Sequence, residues 1–205
     1  MNARYKAAEK ENRQTKVILR GVVITNGPYN EPGGAYMFSG VLHSYIIFIQ
    51  RGLDTRFSIT LMCWVQPGGQ DVSLLNYGAN PRKGLRMSIV DGKFFNQIVE
   101  RRYSTQLNSV ITAEVLPTGR WVHVAATYDH NTGNNTLYIN GHFSVSQNIG
   151  KGYEIATKAS IVIGRNVHKD SYFKGKIAEM KVYDVALNEA QIQTSIRQGS
   201  CKNNM

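Results

Sequence analysis

Residues 85–97, LRMSIVDGKFFNQ, constrain this fold more than any other stretch of the chain. Asp91-Gly92 is a two-residue pair whose preferred turn matches the twist of two antiparallel strands. That turn fixes the register. Val90 falls opposite Lys93, Met87 opposite Asn96 and, with the strands extended, Arg82 opposite Arg101. Side chains alternate across a strand with period two. One face therefore collects Leu85, Met87, Ile89, Phe94 and Ile98, and reads as core. The other carries Arg82, Arg86, Ser88, Lys93, Gln97 and Arg101, with Val90, Phe95 and Val99.

The same grammar repeats along the chain. KVILRGVVIT reads as a strand, NGPYNEPGG as a turn cluster, and AYMFSG and SYIIFIQ as strands. In RFSITLMCWVQP, Ile59, Leu61, Cys63 and Val65 share one face, and Thr60, Met62 and Trp64 the other. A hairpin follows, with strands at 121–128 and 135–139 around DHNTG, then a turn at Asn140-Gly141. SIVIGR and FKGKIAEMKVYDVAL are further strands. NEAQIQTSIRQGS reads as one short helix, capped by Asn188 with Gln191 in the capping-box position and ended by Gly199. Many short strands and one late helix predict an all-β chain, a two-sheet antiparallel jelly-roll sandwich with one short C-terminal helix. The expected organisation is a basic arm at 1–16, the sandwich at 17–200 and a tail at 201–205. The arm and the abrupt end suit a module cut from a longer chain.

Composition narrows the class. Of 205 residues, 42% are hydrophobic and 10% aromatic, enough for a core and against disorder. Lysine and arginine number 24 against 14 acids, so the net charge is +10. That field attracts acidic partners and also keeps a protein soluble. The two cysteines, Cys63 and Cys201, form no zinc spacing. Cys63 lies in an apolar row and reads as a core thiol, with its pairing to Cys201 left open. The start lacks an apolar signal-peptide segment, and no run approaches membrane-span length.

FSITLMCWVQP, GRWVHVAATYDHNTGNNTLYINGH, IVIGR and FKGKIAEMKVYDVALNEAQI together resemble successive signatures of laminin G-like, pentraxin-like domains. These belong to the concanavalin A-type lectin/glucanase superfold. GPYNEPGGAYMFSGVLHSYIIF resembles the opening strands of that family, and the resemblance covers about residues 21–197. It implies a concanavalin A-like jelly roll and a secreted or extracellular module. Such modules bind glycans, sulfated polysaccharides such as heparin, or protein receptors in cell adhesion, often beside calcium.

Each chemistry can be weighed on the residues. Glycoside hydrolysis requires a carboxylate pair about 5–10 Å apart. The glucanase pattern of acids at alternate strand positions is missing, with Glu100 followed by two arginines and Glu179 alone. A divergent glycoside hydrolase is therefore the weak alternative, and the chain is expected to be non-enzymatic. No G-x-S-x-G elbow is present. His123 reads as a satisfied sheet residue, and Asp129, His130 and Asn131 as loop residues bonding their own backbone. Calcium requires six to eight oxygens and acidic charge. The two places where relatives supply acids here read SGVLHS and IAE, so no cofactor is expected and the usual calcium is expected weak or absent. Glu179 or Asp129 remain the residues able to contribute. No recognition helix, RNP-like motif or zinc finger marks a specific nucleic-acid site, and no membrane insertion is expected.

What remains is anion recognition. Arginine forks suit sulfate and carboxylate. Arg82, Arg86 and Arg101 share one face with no acid in their row, with Lys83 and Arg102 close by and Phe95 as an aromatic platform. Like charges directly opposite each other, as in Arg82 and Arg101, are unfavourable without an anion or a carboxylate nearby, which Glu100 or Asp71 could supply. The expected partner is an acidic or sulfated glycan, and the alternative a cell-surface protein bound by an adhesion module. Oligomeric state is not legible.

Overall fold

The computed structural model describes residues 16–49, 54–69, 72–77, 84–102, 107, 110–166 and 171–201. The arm up to residue 15, Arg82, Lys83 and residues 202–205 lie outside them.

Two seven-stranded antiparallel sheets face each other. One runs β1 (Lys16–Arg20), β4 (Tyr45–Ile49), β13 (Ile161–Ile163), β6 (Val72–Tyr77), β7 (Arg86–Val90), β8 (Lys93–Gln97), β9 (Val110–Val115). The other runs β12 (His142–Asn148), β11 (Asn134–Ile139), β10 (Val122–Tyr128), β5 (Ile59–Pro67), β16 (Lys174–Tyr183), β3 (Ala35–Ser39), β2 (Val22–Thr25). A small ribbon pairs β14 (Arg165–Asn166) with β15 (Ser171–Tyr172), and helix α1 spans Glu189–Cys201. This is the all-β sandwich with one C-terminal helix that the alternation predicts.

The core lies between the sheets. Leu61, Cys63 and Val65 of β5 meet Leu75 of β6, Met87 and Ile89 of β7 and Phe94 of β8, all of them buried. Each fully buried side chain of this size contributes about 1.5–3 kcal/mol. Cys63 is a free thiol in this layer.

Helix α1 adds a third layer. Ile192, flanked by Leu187 and Ile196, packs on Met62, Ala125 and Tyr138 on the outer face of the second sheet. Thr60 anchors the approach to the helix, donating to Val185 O at 2.7 Å and accepting from Leu187 N at 2.9 Å. The capping box forms as read. Gln191 N donates to Asn188 Oδ1 at 3.0 Å, and Asn188 N to Gln191 Oε1 at 2.9 Å.

The structure corrects three readings and adds strands that the sequence reading does not name. KVILRGVVIT is two strands: at Gly21, with φ of 54°, the chain leaves one sheet for the other. Lys16 already belongs to β1 rather than to the arm. The helix does not stop at Gly199 but continues to Cys201, and the Glu179 carboxylate occupies the space a side chain at 199 would fill. The strands β6 and β9 carry no alternation that singles them out; every residue of β6 is buried.

Candidate functional site

The hairpin of β7 and β8 forms in the register its turn dictates. Asp91 and Gly92 take φ of 50° and 70°, Val90 pairs with Lys93, and Met87 pairs with Asn96. The same ladder places Ser88 opposite Phe95 and Arg86 opposite Gln97. Leu85, Met87, Ile89, Phe94 and Ile98 are all buried, so Arg86 and Phe95 face outward.

Arg86 is half-buried there. Its guanidinium carbon lies 5.1 Å from the centre of the Phe95 ring, within cation–π range. Nη2 donates to Gln97 Oε1 at 3.2 Å, and Nε is buried without a hydrogen-bond partner. Burial pulls the pKa of this guanidinium down, and among the described residues no carboxylate offsets it. A desolvated cation with an unpaired buried donor favours a negative charge close by.

The face extends across β6. Asn76 stands between the core residues Leu75 and Tyr77, so it points outward, and it pairs with Arg86. Its Nδ2 donates to Arg165 O at 2.6 Å. The Arg165 guanidinium lies 5.4 Å from the centre of the Tyr45 ring and 5.6 Å from that of Tyr172. The two rings are 6.4 Å apart and tilted by 30°. Ser73 and Ser88, with hydroxyls 3.1 Å apart, form a recessed floor between the larger side chains. Two arginines on aromatic seats thus flank one asparagine. Arg165, Tyr45, Tyr172 and Asn76 escape a sequence reading because four strands, from three distant parts of the chain, bring them together.

The other expected residues are placed differently. Arg101 lies beyond the end of β8, and its guanidinium forms a bidentate pair with Asp54. Its Nε donates to Ile155 O at 3.0 Å. The expectation of an arginine row without an acid is corrected at this position: the acid comes from a segment 47 positions away, which strand register does not reveal. Arg102 is exposed, and its backbone N–H donates to Glu100 Oε1 at 2.8 Å. Of the six expected residues the structure brings Arg86 and Phe95 together.

The acids able to contribute to a calcium site, Glu179 and Asp129, are engaged elsewhere. Among the described residues no group of three or more His, Cys, Asp or Glu converges. Glu179 pairs with Lys181 at 3.4 Å, and Asp129 accepts from Asn131 N and Thr132 Oγ1 in its own turn. The hairpin of β10 and β11 is scaffold, but His123 is not satisfied as read. It is buried with Nδ1 unpartnered, its ring 5.4 Å from that of Trp64. Burial, aided by Lys181, pushes its pKa down to about 3. Among the described residues, no helix is long and apolar enough to cross a membrane.

Comparisons with known proteins agree with this fold. Residues 38–193 match the family model of the concanavalin A-like lectin/glucanases superfamily. The C-reactive protein of Mesocricetus auratus is 31% identical over 81 residues, 35% of this chain and 35% of that protein. The C-reactive protein of Rattus norvegicus is 32% identical over 79 residues, 34% of each. The aligned part thus spans about a third of the length of the curated relatives it matches. In fold the chain is similar to the botulinum neurotoxin serotype G binding domain. That match has a TM-score of 0.74 and 15% identity, over 92% of this chain and 47% of that one. It is also similar to the heptameric SAP-like pentraxin of Limulus polyphemus, with a TM-score of 0.61 and 19% identity, over 78% and 80% of the two chains. A sandwich of two seven-stranded sheets, a helix on one outer face and a family match over most of its length lead to one conclusion: the chain belongs to the concanavalin A-like lectin/glucanases superfamily.

Proposed function

We propose that this chain is a non-catalytic extracellular recognition module that binds an acidic or sulfated glycan on the outer face of the β7–β8 sheet. The observation that carries the reading is Arg86: half-buried, seated on Phe95, with Nε unpaired and no acid of the described residues against it. Arg165, whose carbonyl accepts from Asn76, supplies a second cation, and Tyr45 and Tyr172 hold that cation in place. Planar guanidinium forks favour sulfate and carboxylate over neutral hydroxyls. Arg82 and Lys83 add positive charge in sequence next to the hairpin, whereas Arg101 acts as a clamp through Asp54. Hydrolysis requires two carboxylates about the bond, and the sequence lacks the glucanase pattern of acids at alternate strand positions. The resemblance to laminin G-like, pentraxin-like domains supports an extracellular setting.

Heparin-affinity chromatography tests the site. Arg86→Ala with Arg165→Ala is expected to elute at clearly lower salt than Arg197→Ala, which removes one charge from α1 on the opposite side of the sandwich. Equal shifts per charge removed would mean attraction by the overall field alone, and would overturn the site.

A further inference from the structure

Away from the arginine face, one end of the sandwich carries a second arrangement with the chemistry of a binding site. Three segments distant in sequence meet there: residues 54–58 before β5, the turn 129–133 between β10 and β11, and residues 149–157 after β12. Main-chain bonds knit them together. Ile155 N donates to Arg56 O at 2.9 Å, Gly152 N to His130 O at 2.8 Å, and His130 N to Ser58 Oγ at 3.1 Å. His130 Nδ1 lies 3.1 Å from Tyr153 O.

This frame presents two aromatic rings to solvent. Phe57 is 50% exposed and Tyr153 38%. The His130 ring meets Phe57 edge-on, with centroids 5.0 Å apart and planes at 67°. The Arg56 guanidinium lies 5.7 Å from the Phe57 centroid and pairs with Glu154 at 2.8 Å. Phe57 is thus held in place by its neighbours although half of it faces water. Rigid, exposed aromatics ringed by donors and acceptors match a ligand with one apolar face and a polar edge.

We infer that Phe57 and Tyr153, framed by Arg56, Glu154 and His130, form a second site that takes a neutral sugar ring. A pyranose has the required shape, with C–H bonds on one face and hydroxyls around its rim. The charge balance selects the neutral class, because Arg56 and Glu154 cancel each other. Their pair is exposed to solvent, so sugar hydroxyls can exchange for its partners at little cost. Prefixed loops keep the ordering entropy of binding small. The inference does not depend on the arginine face, which would take the charged part of a glycan.

The test is an NMR titration of the whole chain with the methyl glycosides of glucose, galactose and mannose. These probes carry no charge. Saturable amide shifts at residues 56–58, 130 and 153–154, with residues 86–97 unmoved, are the expected result for at least one of them. Phe57→Ala should weaken that affinity about tenfold, the size of one lost aromatic contact, with Tyr153→Ala as an independent variant. No shift at the rim up to the solubility of each sugar would overturn the inference. So would shifts centred on Arg86 and Phe95, or affinity unchanged in both variants. Loss of heparin retention in Arg86→Ala would leave this result untouched, so the two sites fail separately.

Discussion

Arg101 and Asp54 meet as a bidentate ion pair that ties the end of one hairpin to the segment entering β5. Thr157 joins them, donating to Asp54 Oδ1 at 2.9 Å, and Arg101 also holds Ile155 O. The arginine is a clamp, so its loss should register in stability rather than in glycan retention. Arg101→Ala is expected to lower unfolding free energy by about 1 kcal/mol, the upper part of the range for partly exposed pairs. Heparin elution should fall by no more than one unit of charge produces elsewhere on the surface. Urea denaturation and the heparin column check the two halves. Arg101→Lys should recover only part of the stability, since an ammonium cannot reproduce the fork.

His123 makes stability sensitive to mild acid. Its folded pKa, near 3, lies well below the ordinary 6.5, chiefly because burial opposes the charge. Between those values the unfolded chain binds the proton that the folded chain refuses. Stability is therefore full above about pH 6.5 and falls as the pH drops toward 3, by up to about 1.4 kcal/mol per unit. Asp54 acts in the same direction at lower pH: the hydrogen bond from Arg101 holds its pKa down, and its contribution is lost as pH falls through that value. His123→Leu should flatten the upper part of the acid limb and leave the Asp54 part. Urea midpoints measured from pH 7 to pH 4 read this directly; an unchanged slope in the variant would remove His123 as its cause.

Gly21 is where the chain passes between sheets. Its φ is 54°, and a Cβ there would sit 2.8 Å from the carbonyl oxygen of His43. Both the backbone conformation and the space oppose a side chain. Gly21→Ala should cost about 1–2 kcal/mol from conformation alone, with the clash adding to it. Thermal unfolding checks the loss, and hydrogen exchange should show it as faster opening of β1 and β2 than of β5.

The parts of the fold legible in the sequence are those decided locally. Asp91-Gly92 fixes a register because two residues determine both the turn and everything paired across it. The β5 core face is legible because Leu61, Cys63 and Val65 alternate with residues of a different kind. The opposite face of β5 is buried as well, under α1, and Met62 gives no sign of that. Strand β6 lost its signal by the same physics, since burial on both faces erases alternation. The candidate site divides the same way. Arg86 and Phe95 share a hairpin and were found together. Arg165 reaches their face only through strand order, and the Asp54 partner of Arg101 only through loop closure. Period and turn chemistry carry no information at that range.

The cap of α1 offers a local test of how the third layer is held. Asn188 and Gln191 exchange two hydrogen bonds, which satisfy donors that a helix start leaves open. Asn188→Ala should lower stability by about 1 kcal/mol. Asn188→Ser, which keeps an oxygen in reach, should recover most of it. The helix covers Met62, Ala125 and Tyr138, so a weakened cap also loosens that apolar contact. Amide exchange along α1 should quicken in Asn188→Ala while the β7–β8 hairpin, on the far sheet, keeps its protection. Equal quickening in both would mean that the helix and the distant sheet open as one cooperative unit, and that the cap acts on global rather than local stability.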